Sequence, residues 1–135
     1  KKPPAAKKPA PKKNSIAKKS IAKGRSAGRS PVVDVPASSA GRSAGARVAC
    51  RTAAEVGADA VLALAFPLHP PGKPEKTRAD ELAVDVPLRI VQGQRDPFGR
   101  PEEFPAGLDL VAVPGDHSLR QGLDEVVAAV VAFCA

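Results

Sequence analysis

Three short apolar runs, each bounded by polar residues, glycine or proline, lie at residues 59–66, 87–93 and 108–113. Runs of this length predict strands, and the unbroken first run is typical of a strand that is covered on both faces. Two longer stretches, residues 44–56 and 121–134, are rich in helix-forming residues. Strands that alternate with helices favour a parallel sheet with crossover connections, which is the α/β class.

Two further segments have a weaker pattern. Residues 31–40 are expected to form a strand before the first helix, with Val32–Val35 as its best part and Pro36 as a residue that central strands avoid. Thr77–Leu82 is expected to form a short helix with Thr77 as its cap. The proline-rich residues 67–75 are expected to form a loop.

The segment between the first predicted strand and the first helix, Gly41–Gly45, fits the pattern G-x-S-x-G. In a nucleophile elbow this pattern places a serine on a sharp strand-to-helix turn, and the flanking glycines leave room where the backbone crowds. Gly24–Gly28 has the same five residues, but Pro31 follows closely and prevents a helix. Only Ser43 is therefore expected to precede a helix and to be reactive.

The charge of the chain is unevenly distributed. Residues 1–30 contain 11 Lys or Arg and no acid, whereas residues 31–135 contain 10 Lys or Arg and 14 Asp or Glu. The first segment is built mainly from Lys, Pro, Ala and Ser, and we expect it to be a disordered tail. Such a tail is expected to bind nucleic acid weakly and without sequence preference. Residues 31–135 are expected to form the single domain.

The remaining composition narrows the class of function. The two cysteines, Cys50 and Cys134, are expected to be small core residues, which fits a cytoplasmic location. No apolar run is long enough to span a membrane, and no partner membrane is expected. Neither metal-ligand spacing nor a phosphate-binding loop is present in the sequence, so no cofactor and no metal are expected.

Three residues with complementary chemistry follow predicted strands: Ser43, Asp96 and His117. The carboxyl ends of parallel strands meet at one sheet edge, where ligands bind. Serine becomes a nucleophile when an imidazole takes its proton, and a carboxylate orients that imidazole. Because Asp96 precedes Pro97, an alternative is that it is only a turn residue. Asp116 is a weaker candidate for the acid. His69 is expected to be structural or exposed.

Four segments together resemble one α/β-hydrolase subfamily: GRSAGARVA (Gly41–Ala49), FPLHPPGKPEK (Phe66–Lys76), QGQRDPFG (Gln92–Gly99) and PGDHS (Pro114–Ser118). The subfamily includes small bacterial dienelactone-hydrolase-like enzymes, animal testis-expressed hydrolase-like proteins and a subunit of the NSL chromatin complex. The resemblance covers roughly residues 41–120 and implies Ser43 as nucleophile, Asp96 as acid and His117 as base. It also implies the backbone N–H of Ala44 as an oxyanion donor and a small ester or lactone as substrate, attacked to form an acyl-serine.

Compared with that subfamily, nothing before residue 31 is expected to supply the first four strands of the sheet or the second oxyanion donor. The fold expected is therefore a partial α/β-hydrolase fold of about four mostly parallel strands with flanking helices. Its uncovered sheet edge predicts self-association. The alternative function is a catalytically inactive, hydrolase-like interaction module whose basic tail binds nucleic acid.

Overall fold

Four parallel strands form the sheet in the computed structural model, which describes residues 37–135. The elements are β1 (Ser38–Arg42), α1 (Ala44–Val56), β2 (Ala60–Leu64), β3 (Leu88–Gly93), β4 (Asp109–Val113) and α2 (Leu123–Cys134), with 3-10 turns at Ala79–Leu82 and Pro101–Glu103. The strands lie in the order β1-β2-β3-β4, and every neighbouring pair is parallel. The predicted architecture of about four parallel strands with flanking helices is confirmed.

The first described strand overlaps the end of the segment predicted for it, residues 31–40, and continues to Arg42. The strand that pairs with β2 is Ser38–Arg42, with Ser38 opposite Ala60 and Arg42 opposite Leu64. Its start is fixed because the Ala37 N–H donates to the Asp59 carboxylate, while the Asp59 N–H donates to the Ala37 carbonyl, both at 2.7 Å. Tertiary pairing thus selects a segment with poor strand propensity.

Only one of the three connections between strands contains an α-helix. Helix α1 joins β1 to β2, whereas the connections from β2 to β3 and from β3 to β4 contain 3-10 turns. The helix predicted over Thr77–Leu82 is shorter, and it is a 3-10 turn over Ala79–Leu82. The Thr77 hydroxyl accepts a hydrogen bond from the Ala79 N–H at 3.3 Å, which is a weak version of the predicted cap.

The core has two layers, one on each face of the sheet. On the first face, α1 packs through small residues spaced as one helical stripe: Ala46, Ala49, Cys50 and Ala53. Val61 and Ala63 of β2 point toward this layer, while Leu62 joins the opposite layer with Val126 and Ala129 of α2. Small side chains let α1 lie close to the sheet, which brings its first residues to the edge where the strands end.

The two cysteines differ in their environments. Cys50 is buried, and the loss of solvent raises the pKa of its thiol to about 11, so that it stays protonated in the core. Cys134 is exposed, and the prediction that it belongs to the core is wrong. Apolar residues on α2 are spread around the helix, so the sequence pattern does not reveal which of them face the sheet.

Several sequence predictions lie outside the described residues, namely the tail of residues 1–30, the second pentapeptide Gly24–Gly28 and the strand segment Val32–Val35. They remain predictions. Within residues 37–135, no helix combines the length and the apolar character that a membrane crossing requires.

Candidate active site

Ser43 occupies a strained turn between β1 and α1. Its backbone has φ 54° and ψ −121°, a region that non-glycine residues rarely adopt. The Ser43 N–H donates to the Leu64 carbonyl at 2.9 Å, and the Ser43 carbonyl accepts from the Ala46 N–H at 2.9 Å. The turn is therefore anchored to β2 on one side and to α1 on the other, and this fixes the position from which the serine side chain projects.

The two glycines that flank Ser43 have different roles. A Cβ atom on Gly41 would lie 2.1 Å from the Gly45 carbonyl oxygen, because β1 and the start of α1 nearly touch there. A Cβ atom on Gly45 would meet no heavy atom of the described residues within 4 Å. The expectation that both glycines relieve crowding is thus correct for Gly41 and wrong for Gly45.

A continuous line of hydrogen bonds joins the three residues singled out from the sequence. Ser43 Oγ lies 2.8 Å from His117 Nε2, and His117 Nδ1 lies 2.7 Å from Asp96 Oδ2. Asp96 is fully buried, and the His117 side chain is 22% exposed. Because a carboxylate faces Nδ1, that nitrogen carries the proton in the neutral imidazole, and Nε2 is left as the acceptor for the serine proton.

Asp96 forms hydrogen bonds both within its own turn and to His117. Its Oδ1 accepts from the Phe98 N–H at 2.8 Å, and its carbonyl accepts from the Gly99 N–H at 3.1 Å. Its Oδ2 contacts His117 Nδ1 and, at 3.0 Å, Gln92 Nε2. Asp96 is therefore a turn residue, but the alternative that it is only a turn residue is wrong, since the same carboxylate also contacts the imidazole.

Asp116, the weaker candidate for the acid, has another role. Its Oδ1 accepts hydrogen bonds from the Ser118 hydroxyl at 2.6 Å and from the Ser118 N–H at 2.9 Å. These two bonds lower the pKa of the Asp116 carboxyl. The side chain thus shapes the turn that carries His117, while the imidazole contacts Asp96.

The loop that carries His117 is held against β1 and β3. The Arg42 guanidinium donates to the Ser118 carbonyl at 3.1 Å. A Cβ atom on Gly93 would lie 2.4 Å from the Asp116 carbonyl oxygen, so only glycine permits this approach at the end of β3. These contacts bring segments that are far apart in the sequence to one sheet edge.

Phe98 and Gln92 belong to the site and were not identified from the sequence. The Phe98 ring lies against the His117 imidazole with centroids 4.3 Å apart and planes tilted by 35°. Gln92 is fully buried and contacts Asp96. The available signal for Gln92 was a polar residue inside an apolar run, because a buried amide needs partners.

His69 has a structural role in the loop after β2. It is buried, its Nδ1 lies 2.8 Å from the Pro70 carbonyl, and its Nε2 lies 3.0 Å from Glu103 Oε1. An acceptor at each ring nitrogen raises the pKa of His69. The Pro70 carbonyl contributes most, and the Glu103 carboxylate contributes less. Hydrogen bonds to the Glu103 carboxylate lower its pKa. The bond from the Arg100 backbone N–H has the larger effect, and the bond from His69 has a smaller one. This pair joins the loop after β2 to the loop after β3, beside Asp96.

Ala44 is the first residue of α1, and an α-helix leaves its first N–H groups without an intrahelical acceptor. An N–H at this position, directly after the serine, is available to a negatively charged oxygen. Among the described residues, no group of three or more His, Cys, Asp or Glu side chains is placed to hold a metal ion.

Solved structures share this architecture. An alpha-beta serine hydrolase homologue from Coxiella burnetii superposes with a TM-score of 0.53 at 21% identity, over 71% of this chain and 48% of that one. The esterase domain of a Rhodothermus marinus protein gives a TM-score of 0.51 at 16% identity, over 71% of this chain and 58% of that one. The chain thus spans about half the length of these proteins, and at such identities the likeness concerns the fold.

The search of curated proteins found no match. The family model described as "Alpha/beta hydrolase domain" matches residues 2–124, which is most of the chain and includes the elbow, Asp96 and His117. Together with the parallel sheet and the strained turn at Ser43, this match establishes that the chain belongs to the alpha/beta hydrolase family.

Proposed function

We propose that the protein is a serine hydrolase that cleaves a small ester or lactone through an acyl-serine at Ser43. The observation that carries the proposal is the hydrogen-bond line from Ser43 Oγ through His117 to the buried Asp96, with distances of 2.8 and 2.7 Å. Serine is activated when a base lies within hydrogen-bond distance of its hydroxyl and a third group orients that base.

In each half of the proposed reaction His117 acts first as a base and then as an acid. Ser43 Oγ attacks the acyl carbon while its proton moves to His117 Nε2, and the carbonyl oxygen becomes an oxyanion beside the Ala44 N–H. The intermediate collapses, the alcohol leaves with the proton from His117, and the acyl group stays on Ser43. Water then repeats the sequence: it gives a proton to His117 and attacks the acyl carbon. The bond between that carbon and Ser43 Oγ breaks, Oγ takes the proton back from His117, and the acid leaves.

The resemblance to the dienelactone-hydrolase-like subfamily supports the proposed substrate class, and the connection beside the site bears on access to Ser43. The segment between β2 and β3, from Ala65 to Pro87, contains one 3-10 turn and is too short for a large cap domain. Part of it is fixed by the His69–Glu103 pair rather than free to close over a ligand. The site is therefore expected to be open, which admits a small ester or lactone without selecting one.

A fluorophosphonate probe tests the proposal. Treatment of the wild-type protein, followed by peptide mass mapping, is expected to show one adduct, on Ser43. The matched control is the Ser26→Ala variant, because Ser26 lies in an identical pentapeptide. That variant is expected to label at the wild-type rate. Absence of an adduct in the wild type, or an adduct that maps to Ser26, contradicts the proposal.

The rival proposal, an inactive interaction module, is favoured by the charge of residues 1–30, which hold 11 cations and no acid. We expect the full chain to bind duplex DNA weakly, with an affinity that falls steeply between low and physiological salt. A full-length variant with these Lys and Arg residues replaced by Gln is expected to lose that binding, as measured by fluorescence anisotropy. Equal binding by both proteins contradicts a role for the tail.

A further inference from the structure

We propose that Gln92 is a positioning residue that holds the Asp96 carboxylate in the orientation that His117 requires. The inference rests on the proposed function. Gln92 is a fully buried polar side chain in β3, between Val91 and Gly93. Burial of an amide is unfavourable unless its donors and acceptor are hydrogen-bonded, so its contacts indicate what it stabilises.

The amide of Gln92 extends the bonding of the sheet beyond the end of β2. The last backbone bond between these strands runs from the Ala65 N–H to the Val91 carbonyl at 2.8 Å. One residue later, Gln92 Oε1 accepts from the Phe66 N–H at 2.9 Å, and Nε2 lies 3.1 Å from the Phe66 carbonyl. The side chain therefore replaces a neighbouring backbone at the point where β2 turns away.

The same amide nitrogen reaches the loop after β3. Nε2 lies 3.0 Å from Asp96 Oδ2 and 2.9 Å from the Gly99 carbonyl. Together with the Phe66 carbonyl, this makes three acceptors for two N–H groups, so one N–H group is shared between two of the acceptors. The Phe66 N–H can face only an oxygen, and this fixes which end of the amide is the donor.

For Asp96, the contact completes a three-point support. Oδ1 accepts from the Phe98 N–H, and Oδ2 accepts from both His117 and Gln92. The amide N–H replaces water that burial has removed from this oxygen, and it restricts rotation of the carboxylate plane. Without the Gln92 amide, the Asp96 carboxylate keeps two donors, the Phe98 N–H and the His117 imidazole. Its plane can then rotate, and the direction of its bond to His117 is less well defined.

A purely structural role for Gln92, as a tie between Phe66 and Gly99, makes different predictions. Such a tie affects folding, but it has no particular relation to Asp96. A positioning role requires that substitution of Gln92 slows the serine reaction through Asp96 and has little further effect once Asp96 is itself changed.

The first experiment compares Gln92→Glu with the wild type. Glutamate keeps the shape and an acceptor for the Phe66 N–H. When ionised it offers no donor and places a like charge beside Asp96, and when protonated it offers one O–H for the three acceptors that the amide contacts. We expect the rate of fluorophosphonate labelling at Ser43 to fall about 10- to 100-fold, and kcat for a p-nitrophenyl ester to fall with KM nearly unchanged. The matched control is Gln94→Glu, an exposed position two residues along, which is expected to leave the rate unchanged.

The second experiment is a double-mutant cycle with Asp96→Asn, in which Gln92→Met removes the amide without adding charge. In the Asp96→Asn background, Gln92→Met is expected to change the labelling rate less than about 3-fold. Multiplicative effects of the two substitutions overturn the positioning role. The same holds if Gln92→Glu is folded and labels at the wild-type rate.

A spectroscopic measurement makes the inference independent of turnover. The His117 Nδ1 proton that faces Asp96 is expected to give a low-field NMR resonance that shifts in Gln92→Glu and stays in place in Gln94→Glu. An unshifted resonance in folded Gln92→Glu overturns the inference while the proposed function stands. Failure of the wild type to label at Ser43 overturns the proposed function, and the inference with it.

Discussion

Replacement of Ser43 by alanine is expected to lower ester hydrolysis by about 10⁴-fold or more, because no acyl-enzyme can form. His117→Ala is expected to have a similar effect, since it removes the one base that lies within hydrogen-bond distance of Ser43 Oγ among residues 37–135. The double variant is expected to be no slower than either single variant, because residues that act as one unit are not additive. Initial rates with a p-nitrophenyl ester, corrected for the spontaneous reaction, measure all three.

The matched control for Ser43→Ala is Ser26→Ala, which is expected to retain full activity. Both serines lie in the sequence GRSAG. Ser43 precedes α1 and its Oγ lies 2.8 Å from His117 Nε2, whereas the sequence predicts no helix after Ser26, because Pro31 follows closely. Hydrolysis that persists in Ser43→Ala at the wild-type rate shows that another group is the nucleophile. If Ser26→Ala loses activity and Ser43→Ala does not, the assignment of Ser43 as the nucleophile is wrong.

Gly41→Ala is expected to destabilise the fold by about 3 kcal/mol or more. The new Cβ would lie 2.1 Å from the Gly45 carbonyl oxygen and 2.7 Å from the Ala46 nitrogen. These are backbone atoms of the first turn of α1, so the clash cannot be relieved by a change of rotamer. The elbow must open, which also moves Ser43. Chemical denaturation followed by circular dichroism gives the free energy of unfolding.

The control for this prediction is the other glycine of the motif. Gly45→Ala places a Cβ where the described residues leave open space, and Gly45 is the second residue of α1. Because glycine in a helix is less favourable than alanine by about 0.5 to 1 kcal/mol, the substitution is expected to be neutral or stabilising. Equal destabilisation by both variants contradicts the crowding inferred at Gly41.

The local pattern was sufficient for most of the elements. The predicted helix over residues 44–56 coincides with α1, and the three apolar runs contain β2, β3 and β4. These segments have a strong local signal, either a continuous apolar run or a helix-forming stretch that ends at a glycine. In the structure Gly57 adopts φ 64° and ψ 43° as the C-cap of α1, which is a conformation that glycine adopts without strain.

The local pattern failed where long-range contacts decide the structure. Within the predicted strand segment of residues 31–40, propensity is poor from Pro36 onward, yet Ser38–Arg42 pairs with β2, because Asp59 binds Ala37 and the small residues admit α1. The usual burial of free cysteine led to the prediction that Cys134 lies in the core, although it lies at the exposed end of α2. Propensity concerns single segments, whereas pairing and coverage depend on residues 20 or more positions away, such as the 22 that separate Ala37 from Asp59.

By itself, the sequence determined the α/β class, the ends of the strands and therefore the sheet edge at which Ser43, Asp96 and His117 could meet. These follow from local periodicity and from the geometry of parallel sheets, in which all strand ends share one edge. The tertiary structure alone decided the distances between the three side chains, the crowding at Gly41 and the recruitment of Gln92 and Phe98. The reason is that a hydrogen bond depends on atomic positions within a few tenths of an ångström. Those positions are set by how β1, β3 and β4 pack together, not by the residues next to each other in the chain.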